Sequence, residues 1–254
     1  MEFCETEEIE AILVVRINRP ASLNALHSAA HFELADVFDR FEANRSLRVA
    51  IITGSGDRAF CAGNDLKVQA AGGTLDRPAS GFGGLATRFD RTKPVIAAIN
   101  GLAVGGGCEI VAACDIAVCA ENASFSLPEV RVGLVSTVGS QLLIRMLGMK
   151  DVLGLLLTGR QISAVEALRI GFINEIVPVG DALKGAMRWA GEISRCSPSA
   201  VRATLDIVRR GAAAPSAALA INAHYQSVVD HRASADFVEG PRAFAQKRPP
   251  IWAD

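Results

Sequence analysis

The segment from Asn100 to Glu109 reads N-G-L-A-V-G-G-G-C-E and follows an apolar run with the composition of a buried strand. Three consecutive glycines, Gly105 to Gly107, leave the backbone uncovered where this strand gives way to an apolar helix. A helix start offers free N–H donors and the positive end of a dipole to an anionic group. Glu109 stands two residues after the glycines, where a carboxylate can handle protons. The pattern predicts chemistry at a carbonyl whose oxygen becomes negative.

A second strand-to-helix turn, A-F-C-A-G-N-D-L-K, occupies Ala59–Lys67. Each of the two turns can direct one backbone N–H toward a common point, and two such donors would form an oxyanion hole. The residues alone leave an alternative open, which is that the glycines only permit tight packing and positive φ angles.

Two carboxylates are candidates for acid–base work, Glu109 after the glycine triplet and Glu129 in the segment S-F-S-L-P-E. Each also has a plain structural interpretation. Glu109 could simply meet the dipole at the start of its helix, and Glu129 could be a solvated loop carboxylate after a proline.

Other catalytic motifs do not fit the sequence. The glycine-rich segments lack the G-K-[ST] of a phosphate-binding loop, the third glycine of a dinucleotide fingerprint and a G-x-S-x-G elbow. Cys61 and Cys108 adjoin the two turns, but no histidine is near them in sequence, so we interpret them as packing residues. The histidines lie on predicted helices away from both turns, and we interpret them as surface or hydrogen-bonded residues: His27, His31, His224 and His231.

The composition of the 254 residues, 50% hydrophobic and 21% charged, predicts a compact globular protein. A net charge of -1 gives no reason to expect nucleic-acid binding, which normally needs a basic surface. The six cysteines form no C-x-x-C pair, and no histidine lies at zinc-ligand spacing from them, which predicts buried thiols in a reducing compartment and no metal site. The acidic N-terminus lacks an apolar signal region and no apolar stretch is long enough to cross a membrane, so we expect a cytoplasmic protein with no membrane partner.

Hydrophobic periodicity and breaker residues predict the elements that position these groups. We expect strands at Ile9–Ile17, Val49–Thr53, Pro94–Ile99 and Ile116–Cys119, a helix at about Ala29–Ala43 capped by Ser28, and a helix from the glycine triplet to about Ala113. Phe32, Ala35, Phe38 and Phe41 are expected on one buried face of the first helix. Residues 70–84 are predicted to be a mobile surface loop beside the substrate pocket. Further helices are expected at Val138–Leu147, Lys150–Leu157 and Ala164–Ile170 and over most of Asp181–Gln246, giving an α/β core followed by a helical portion.

The chain closely resembles the enoyl-CoA hydratase/isomerase, or crotonase, family over nearly its whole length. The motifs that carry the resemblance are N-R-P-x-x-x-N-A-L at Asn18–Leu26, A-F-C-A-G-N-D-L-K at Ala59–Lys67, K-P-V-I-A-A-I-N-G at Lys93–Gly101, V-G-G-G-C-E-I-V-A-A-C-D at Val104–Asp115, A-S-F-S-L-P-E at Ala123–Glu129, L-T-G-R-Q-I-S-A-x-E-A at Leu157–Ala167 and F-A-Q-K-R-P-P-I-W at Phe244–Trp252.

This resemblance implies an α/β fold, a crotonase-like spiral of ββα units with a helical C-terminal trimerisation region. Residues 1–195 would form the spiral core with the acyl-CoA site, and residues 196–254 the helical region that oligomerises and completes the CoA site. The implied assembly is a homotrimer or a hexamer made of two trimers.

The resemblance also implies roles for individual residues. The backbone N–H groups of Asn64 and Gly106 would hold the thioester oxygen, Glu109 would help to deprotonate water, and Glu129 would exchange the proton at the α-carbon. The implied contacts to CoA or its acyl group are Ala62, Asp65, Leu66, Lys67, Thr137 and, from a neighbouring subunit, Lys247. Where typical hydratases carry Pro-Gly, this chain has Ser136-Thr137, and we expect the Thr137 side chain to narrow or polarise the acyl pocket.

The function implied is reversible hydration of a 2-trans-enoyl-CoA to a 3-hydroxyacyl-CoA without any cofactor or metal, since coenzyme A is part of the substrate. The alternatives are an enoyl-CoA isomerase, which could work with Glu129 alone, or another crotonase-family lyase acting on a branched or cyclic acyl group. A non-catalytic acyl-CoA-binding or RNA-binding homologue is disfavoured by the two glutamates and the near-neutral charge. A dehydrogenase is disfavoured by the missing nucleotide fingerprint.

Overall fold

The computed structural model describes residues 1–74 and 76–253, without the side chain of Gln69. The strands are β1 (Cys4–Ile9), β2 (Ile12–Ile17), β3 (Val49–Gly54), β4 (Ala59–Cys61), β5 (Val95–Ile99), β6 (Leu102–Val104), β7 (Ile116–Ala120), β8 (Ser124–Ser126), β9 (Ile162–Ser163) and β10 (Glu175–Val177). The helices are α1 (Ser28–Ala43), α2 (Leu66–Ala70), α3 (Gly106–Ala113), α4 (Thr137–Leu143), α5 (Met149–Thr158), α6 (Ala164–Arg169), α7 (Ala182–Ser194), α8 (Pro198–Ala212), α9 (Ala217–Ile221), α10 (Gln226–Ala233) and α11 (Ala235–Ala245). The predicted order, an α/β part followed by helices, is confirmed.

Within the described residues, one sheet has six strands in the order β1-β2-β3-β5-β7-β10. Strands β2, β3, β5, β7 and β10 pair in parallel, whereas β1 and β2 form an antiparallel hairpin. The single strand predicted over Ile9–Ile17 was therefore wrong at its start. Glu10 has a left-handed φ of 53° and turns the chain between the two strands. The acidic C-E-T-E-E-I of β1 gave no strand signal because β1 is a largely exposed edge strand.

The second sheet has the order β4-β6-β8-β9 in the described chain. Strands β4, β6 and β8 are parallel neighbours, and β9 joins β8 in the antiparallel sense. Each is only two or three residues long, which is too short for a periodicity signal, and none of them was predicted as a separate strand.

Helix α1 packs on the first sheet with a face that includes three of the four predicted residues. Ala35, Phe38 and Phe41 are buried as predicted, whereas Phe32 is 49% exposed. A strict three-residue spacing advances about 300° per step on an α-helix, so Phe32 and Phe41, nine residues apart, lie about 180° apart. The helix begins at Ser28, one residue earlier than predicted, because the His27 side chain rather than Ser28 accepts the Ala30 N–H. Its predicted end at Ala43 is confirmed.

The predicted loop over residues 70–84 is only partly correct. Leu75 lies outside the described residues. Phe82–Gly84 form a buried 3-10 turn against α1 and α3 and are not at the surface. The buried position of Phe82 at the end of this segment places an aromatic ring beside the glycine triplet.

The helices after residue 195 contact one another more than they contact the sheets. Helix α8 packs against α9 and α10, and α10 packs against α11. Arg209 connects α8 to the sheet region through a hydrogen bond of 2.6 Å to Asp115. Division of the chain into residues 1–195 and 196–254 stays a prediction.

The cysteine prediction holds for five residues and is wrong for one. Cys196 is exposed, and the buried thiols are Cys4, Cys61, Cys108, Cys114 and Cys119. Burial raises the pKa of the Cys61 thiol to about 12, which makes it a poor nucleophile. In the described part of the chain, no helix combines the length and the apolar character that crossing a bilayer requires.

Candidate active site

Three parallel strands end side by side at the candidate site. Strands β4, β6 and β8 are neighbours, and the chain leaving their carboxyl ends carries Asn64, Gly106 and Glu129 in turn. The carboxyl ends of parallel strands lie at one edge of a sheet, where ligands of open α/β sheets commonly bind. Sheet topology therefore brings together three residues that are far apart in sequence.

The two glycine-containing turns touch backbone to backbone. A Cβ on Gly63 would lie 2.7 Å from the Val104 carbonyl oxygen and 3.4 Å from the Gly106 nitrogen. A Cβ on Gly107 would overlap the Cys61 carbonyl oxygen. Gly63 also has a φ of +84°, which side chains rarely adopt. The glycines are thus required for the close approach of the turns, and that approach places the two predicted donors beside each other.

Neither predicted donor has an acceptor among the described residues. Gly106 is the first residue of α3, so its N–H has no carbonyl one turn earlier in the helix. Asn64 pairs with Leu26 in an isolated parallel bridge. Its two hydrogen bonds run from the Leu26 N–H to the Gly63 carbonyl and from the Asp65 N–H to the Leu26 carbonyl. Within the described residues, the Asn64 N–H is not a donor to any other group. Two such amides can hold an oxygen on which negative charge develops.

An aromatic ring covers the Gly106 side of this pair. A Cβ on Gly106 would overlap the Phe82 ring, which is buried. His31 packs edge-on against Phe82 with ring centroids 4.5 Å apart, and its Nδ1 accepts the Gly83 N–H at 3.0 Å. The prediction that the histidines lie away from both turns is wrong for His31. Burial, reinforced by the nearby positive charge of Arg77, lowers its pKa to about 3, so it is a neutral support at physiological pH.

Glu109 lies in the first turn of α3 and is 6% exposed. Its Oε1 accepts two hydrogen bonds, from the Ser136 hydroxyl at 2.9 Å and from the Gly139 N–H at 3.0 Å. Its Oε2 accepts none from the other described residues. One carboxylate oxygen is therefore fixed by the protein, and the other is available to a ligand.

Glu129 opens a short 3-10 turn after β8. Its Oε1 lies against Gly105, where a Cβ would come within 2.9 Å, and its Oε2 is buried without a hydrogen-bond partner among the described residues. Burial, followed by the negative charge of Glu109, raises the pKa of Glu129. The two carboxyl groups thus differ in environment, which is how paired carboxyls take acid and base roles.

A pocket of about 330 Å³ adjoins the Glu129 carboxyl group. Glu129 and Ser136 contribute polar atoms to its wall, and most of the remaining wall is aliphatic. The lining residues are Leu127, Glu129, Val130, Val135, Ser136, Ser140, Gln141, Ile144, Met149, Val152, Leu153, Leu156 and Leu157. A larger cavity of about 500 Å³ lies along α8 and α10 and contains no predicted site residue.

The predicted substrate contacts are not all placed as expected. Thr137 is exposed at the start of α4 and is not among the residues that line the pocket. The hydroxyl that reaches a candidate catalytic carboxylate belongs instead to the preceding residue, Ser136. The contact of the Thr137 side chain with an acyl group stays a prediction.

Asp65 has a structural partner in this chain. Arg19 donates to its Oδ2 from both terminal nitrogens at 3.0 Å, and the backbone amides of Lys67 and Val68 also donate to it. Burial works to raise the pKa of Asp65, but these hydrogen bonds outweigh burial and hold it below its usual range. Asp65 therefore fixes the start of α2.

The other predicted contacts lie around the second turn or in the tail. The Ala62 N–H donates to the Leu23 carbonyl at 3.0 Å, so this amide is used internally. Leu66, Lys67 and Lys247 are exposed. Their contacts to CoA stay a prediction.

Comparison with known proteins agrees with the site. A family model described as enoyl-CoA hydratase/isomerase matches residues 7–254. The chain belongs to the enoyl-CoA hydratase/isomerase family. A curated relative is the carnitinyl-CoA dehydratase of Citrobacter koseri, 42% identical over 253 residues, a match that covers 95% of this chain and 94% of that protein.

Solved structures of the enoyl-CoA hydratase/isomerase family share the fold. The enoyl-CoA hydratase from Mycobacterium tuberculosis H37Rv superposes with a TM-score of 0.93 at 35% identity, covering 100% of this chain and 99% of that one. The carnitinyl-CoA hydratase from Mycobacterium avium has a TM-score of 0.80 at 35% identity, with coverages of 100% and 99%. The predicted crotonase-like α/β fold is confirmed, whereas trimerisation stays a prediction.

Sequence reasoning missed four residues around this family site. Ser136 and Gly139 hold Glu109, and Phe82 covers Gly106. Arg77 donates to the Asn64 Oδ1 at 3.1 Å, with its guanidinium 5.3 Å from the Phe82 ring centroid. The departure from Pro-Gly at residues 136–137 was the one available signal. Over residues 1–74 and 76–253, no group of His, Cys, Asp and Glu side chains could hold a metal ion.

Proposed function

We propose that this protein adds water reversibly across the double bond of a 2-trans-enoyl-CoA to give a 3-hydroxyacyl-CoA, as a hydro-lyase. One observation carries the proposal. Two carboxyl groups in different environments, Glu109 and Glu129, lie beside two adjacent backbone donors, Asn64 and Gly106.

The backbone donors take the thioester oxygen. As the water oxygen bonds to C3, the π electrons of the C2–C3 double bond shift through the carbonyl to this oxygen and form an enolate. Two preorganised N–H groups stabilise that charge more strongly than the neutral carbonyl, so they lower the barrier. The positive end of α3 adds to the effect at Gly106.

The two glutamates move the protons. Glu109, with its free Oε2 facing the water, accepts a proton as the C3–O bond forms. Glu129, whose raised pKa favours the protonated form, gives its proton to C2 as the enolate collapses. Transfer of a proton from Glu109 to Glu129 through solvent resets the pair, so atoms and charge balance over one turnover.

The pocket beside Glu129 receives the acyl tail. Its wall is mainly aliphatic, which suits an uncharged hydrocarbon chain, and its volume of about 330 Å³ lies at the lower end of the range for ligand pockets. The test for chain length is a series of straight-chain enoyl-CoA esters.

The second candidate is dehydration of carnitinyl-CoA, because curated relatives carry that name. The quaternary ammonium of that substrate is best held by aromatic faces or carboxylates. The residues that line the pocket include no aromatic ring and only one carboxylate, Glu129. This observation favours an uncharged acyl group. An isomerase or a lyase for branched or cyclic acyl groups is the remaining alternative.

The deciding experiment is a substrate panel with the purified protein. Crotonyl-CoA, longer straight-chain enoyl-CoAs, a branched enoyl-CoA and crotonobetainyl-CoA are each followed by loss of the conjugated thioester absorbance. We expect turnover of the straight-chain esters at higher kcat/KM than crotonobetainyl-CoA. Preference for crotonobetainyl-CoA would establish the second candidate, and an unchanged panel would refute both. The Glu109→Gln/Glu129→Gln double variant is the control for non-enzymatic loss.

Three further features belong to the proposal. The protein works without a cofactor or metal, it assembles as a homotrimer or hexamer in which Lys67 and the Lys247 of a neighbouring subunit contact CoA phosphates, and it acts in the cytoplasm. Sedimentation velocity tests the assembly, and Lys67→Ala and Lys247→Ala test the contacts by an increase in KM.

A further inference from the structure

Ser136 occupies the position before α4 where a serine would normally cap the helix, but it makes no such bond. Its side chain accepts nothing from the first turn of α4. Ser136 is only 7% exposed. Its hydroxyl points inward and donates to Glu109 Oε1 at 2.9 Å. A serine cap contributes about 1 kcal/mol to its helix, so this orientation gives up local stability.

The surrounding chain holds Ser136 in that orientation. The Ser140 N–H and hydroxyl both donate to the Ser136 carbonyl, at 3.1 and 2.5 Å. Gly139 makes room for the hydroxyl, because a Cβ there would overlap Ser136 Oγ and come within 2.8 Å of Leu127. The Gly139 N–H donates to the same Glu109 oxygen.

These contacts give the carboxylate of Glu109 one orientation. Two donors meet on Oε1, so a rotation of the carboxyl group would break two hydrogen bonds at once. Oε2 is then the oxygen that receives no hydrogen bond from the other described residues. The carboxyl group of Glu129 receives a hydrogen bond from its own backbone N–H, and its Oε2 has no partner among the described residues.

We propose that Ser136 is a positioning residue, which together with the Gly139 N–H clamps Oε1 of Glu109 so that Oε2 accepts the proton of the attacking water. This inference rests on the proposed hydration. Ser136 itself exchanges no proton with the substrate.

The test separates the two proton transfers. Hydration of an enoyl-CoA needs Glu109 and Glu129, whereas exchange of the C2 proton of butyryl-CoA with D₂O needs only the oxyanion hole and Glu129. In Ser136→Ala we expect kcat for hydration to fall about 10- to 100-fold, the loss of one hydrogen bond to a charged group, with KM changed less than about threefold. The exchange rate should stay within about threefold of wild type. An unchanged kcat for hydration overturns the proposal, and so does an equal loss of both reactions.

Ser197→Ala is the matched control. Ser197 is a buried serine before α8 whose hydroxyl also donates to a buried carboxylate, Asp236, at 2.6 Å. This variant should lower the melting temperature but leave both rates within about threefold. If it reduces hydration as selectively as Ser136→Ala, positioning of Glu109 is not the cause.

A structural measurement tests the clamp on Glu109 separately from the hydration activity. Crystal structures of wild type and Ser136→Ala are compared at the Glu109 carboxylate. We expect the group to leave the Gly139 N–H or to divide between two orientations in the variant, and an unmoved carboxylate overturns the clamp. A wild-type protein that hydrates no ester would refute the proposed function alone, since this comparison still decides on the clamp.

Discussion

Two carboxyl groups in different regions of the molecule have opposite surroundings. In the C-terminal helices, Asp236 accepts hydrogen bonds from the Ser197 hydroxyl at 2.6 Å, the Ser199 hydroxyl at 3.1 Å and the Ala253 N–H at 3.0 Å. In the candidate site, Glu129 has a buried Oε2 with no partner among the described residues. One region satisfies its carboxylate fully and the other does not.

The difference appears in the direction in which the pKa of each carboxyl group is shifted. Burial works to raise the pKa of Asp236, but the serine hydroxyls and backbone donors outweigh it and lower the value. Burial raises the pKa of Glu129, and the charge of Glu109 adds to it. A satisfied carboxylate stabilises the fold, whereas an unsatisfied one costs stability and gains reactivity. The number of hydrogen-bond donors around a carboxyl group therefore distinguishes one that stabilises the fold from one that is suited to proton transfer.

The largest effect should come from exchanging carboxylate for amide in the two regions. Glu129→Gln is expected to lower kcat for hydration about 10²- to 10⁴-fold, because the amide cannot transfer the proton to C2. Asp236→Asn should leave kcat of the folded protein within about threefold. Initial rates at saturating substrate check both, and full turnover by Glu129→Gln would remove its role.

Glu109→Gln sharpens the same comparison. Loss of hydration on a similar scale is expected, since no base would remain for water. Survival of double-bond migration in this variant would instead favour an isomerase, because migration can proceed with Glu129 alone. Product analysis by chromatography distinguishes the two outcomes.

The next effect concerns the glycines at which the two strand-to-helix turns touch backbone to backbone. Gly107→Ala should lower kcat about 10²- to 10³-fold, because the new Cβ overlaps the Cys61 carbonyl oxygen and displaces the oxyanion donors. Gly191→Ala, in α7 with open space around its Cβ position, is the matched control and should not reduce kcat. Equal kinetics in the two variants would show that the contact between the turns is unimportant.

A smaller effect is expected on stability in the C-terminal region. Asp236→Asn should lower the free energy of unfolding by about 2 kcal/mol at neutral pH, since charged hydrogen bonds are lost. The pKa of Asp236 is lower in the folded state, so its contribution is fully present above the ordinary value of 3.8 and is lost as the pH falls through the folded value. Urea unfolding across this range should show the difference shrinking below 3.8.

The smallest expected effect is an increase in the free energy of unfolding. Glu129→Gln should stabilise the protein at neutral pH by on the order of 1 kcal/mol, because an unsatisfied buried charge is removed. The pKa of Glu129 is higher in the folded state, so the wild-type penalty grows as the pH rises through that value and is absent below 4.5. Thermal melts at acidic and neutral pH measure the gain, and destabilisation at neutral pH would contradict it.

The sequence allowed prediction of those parts of the site that depend on backbone. Gly63 and Gly107 are needed because no side chain fits where the turns meet, and Gly106 is needed because the Phe82 ring lies over it. A run of glycines is visible in a single sequence. The α/β order and the end of α3 at Ala113 were predictable for similar reasons. Such features depend on residues that are close to one another in the sequence.

Other parts of the site depend on contacts between distant segments. Ser136 bonds a residue 27 positions away, and the inward turn of its hydroxyl follows from the space left by Gly139. His31 is hydrogen-bonded, as one of the two interpretations allowed, but its predicted place away from both turns was wrong, because a helical pattern does not show which distant segment a side chain meets. Packing of α1 against Phe82 brings His31 next to the ring that covers Gly106.

The proposed oxyanion donors of this molecule are main-chain amides, and this has an evolutionary consequence. No codon change at Asn64 or Gly106 removes the N–H itself unless it introduces proline, and only side chains that overlap a neighbour, as at Gly106 against the Phe82 ring, would displace it. The carboxylates and the pocket wall have no such protection. A lineage built on this backbone can therefore lose or exchange its proton chemistry repeatedly while it still recognises a thioester.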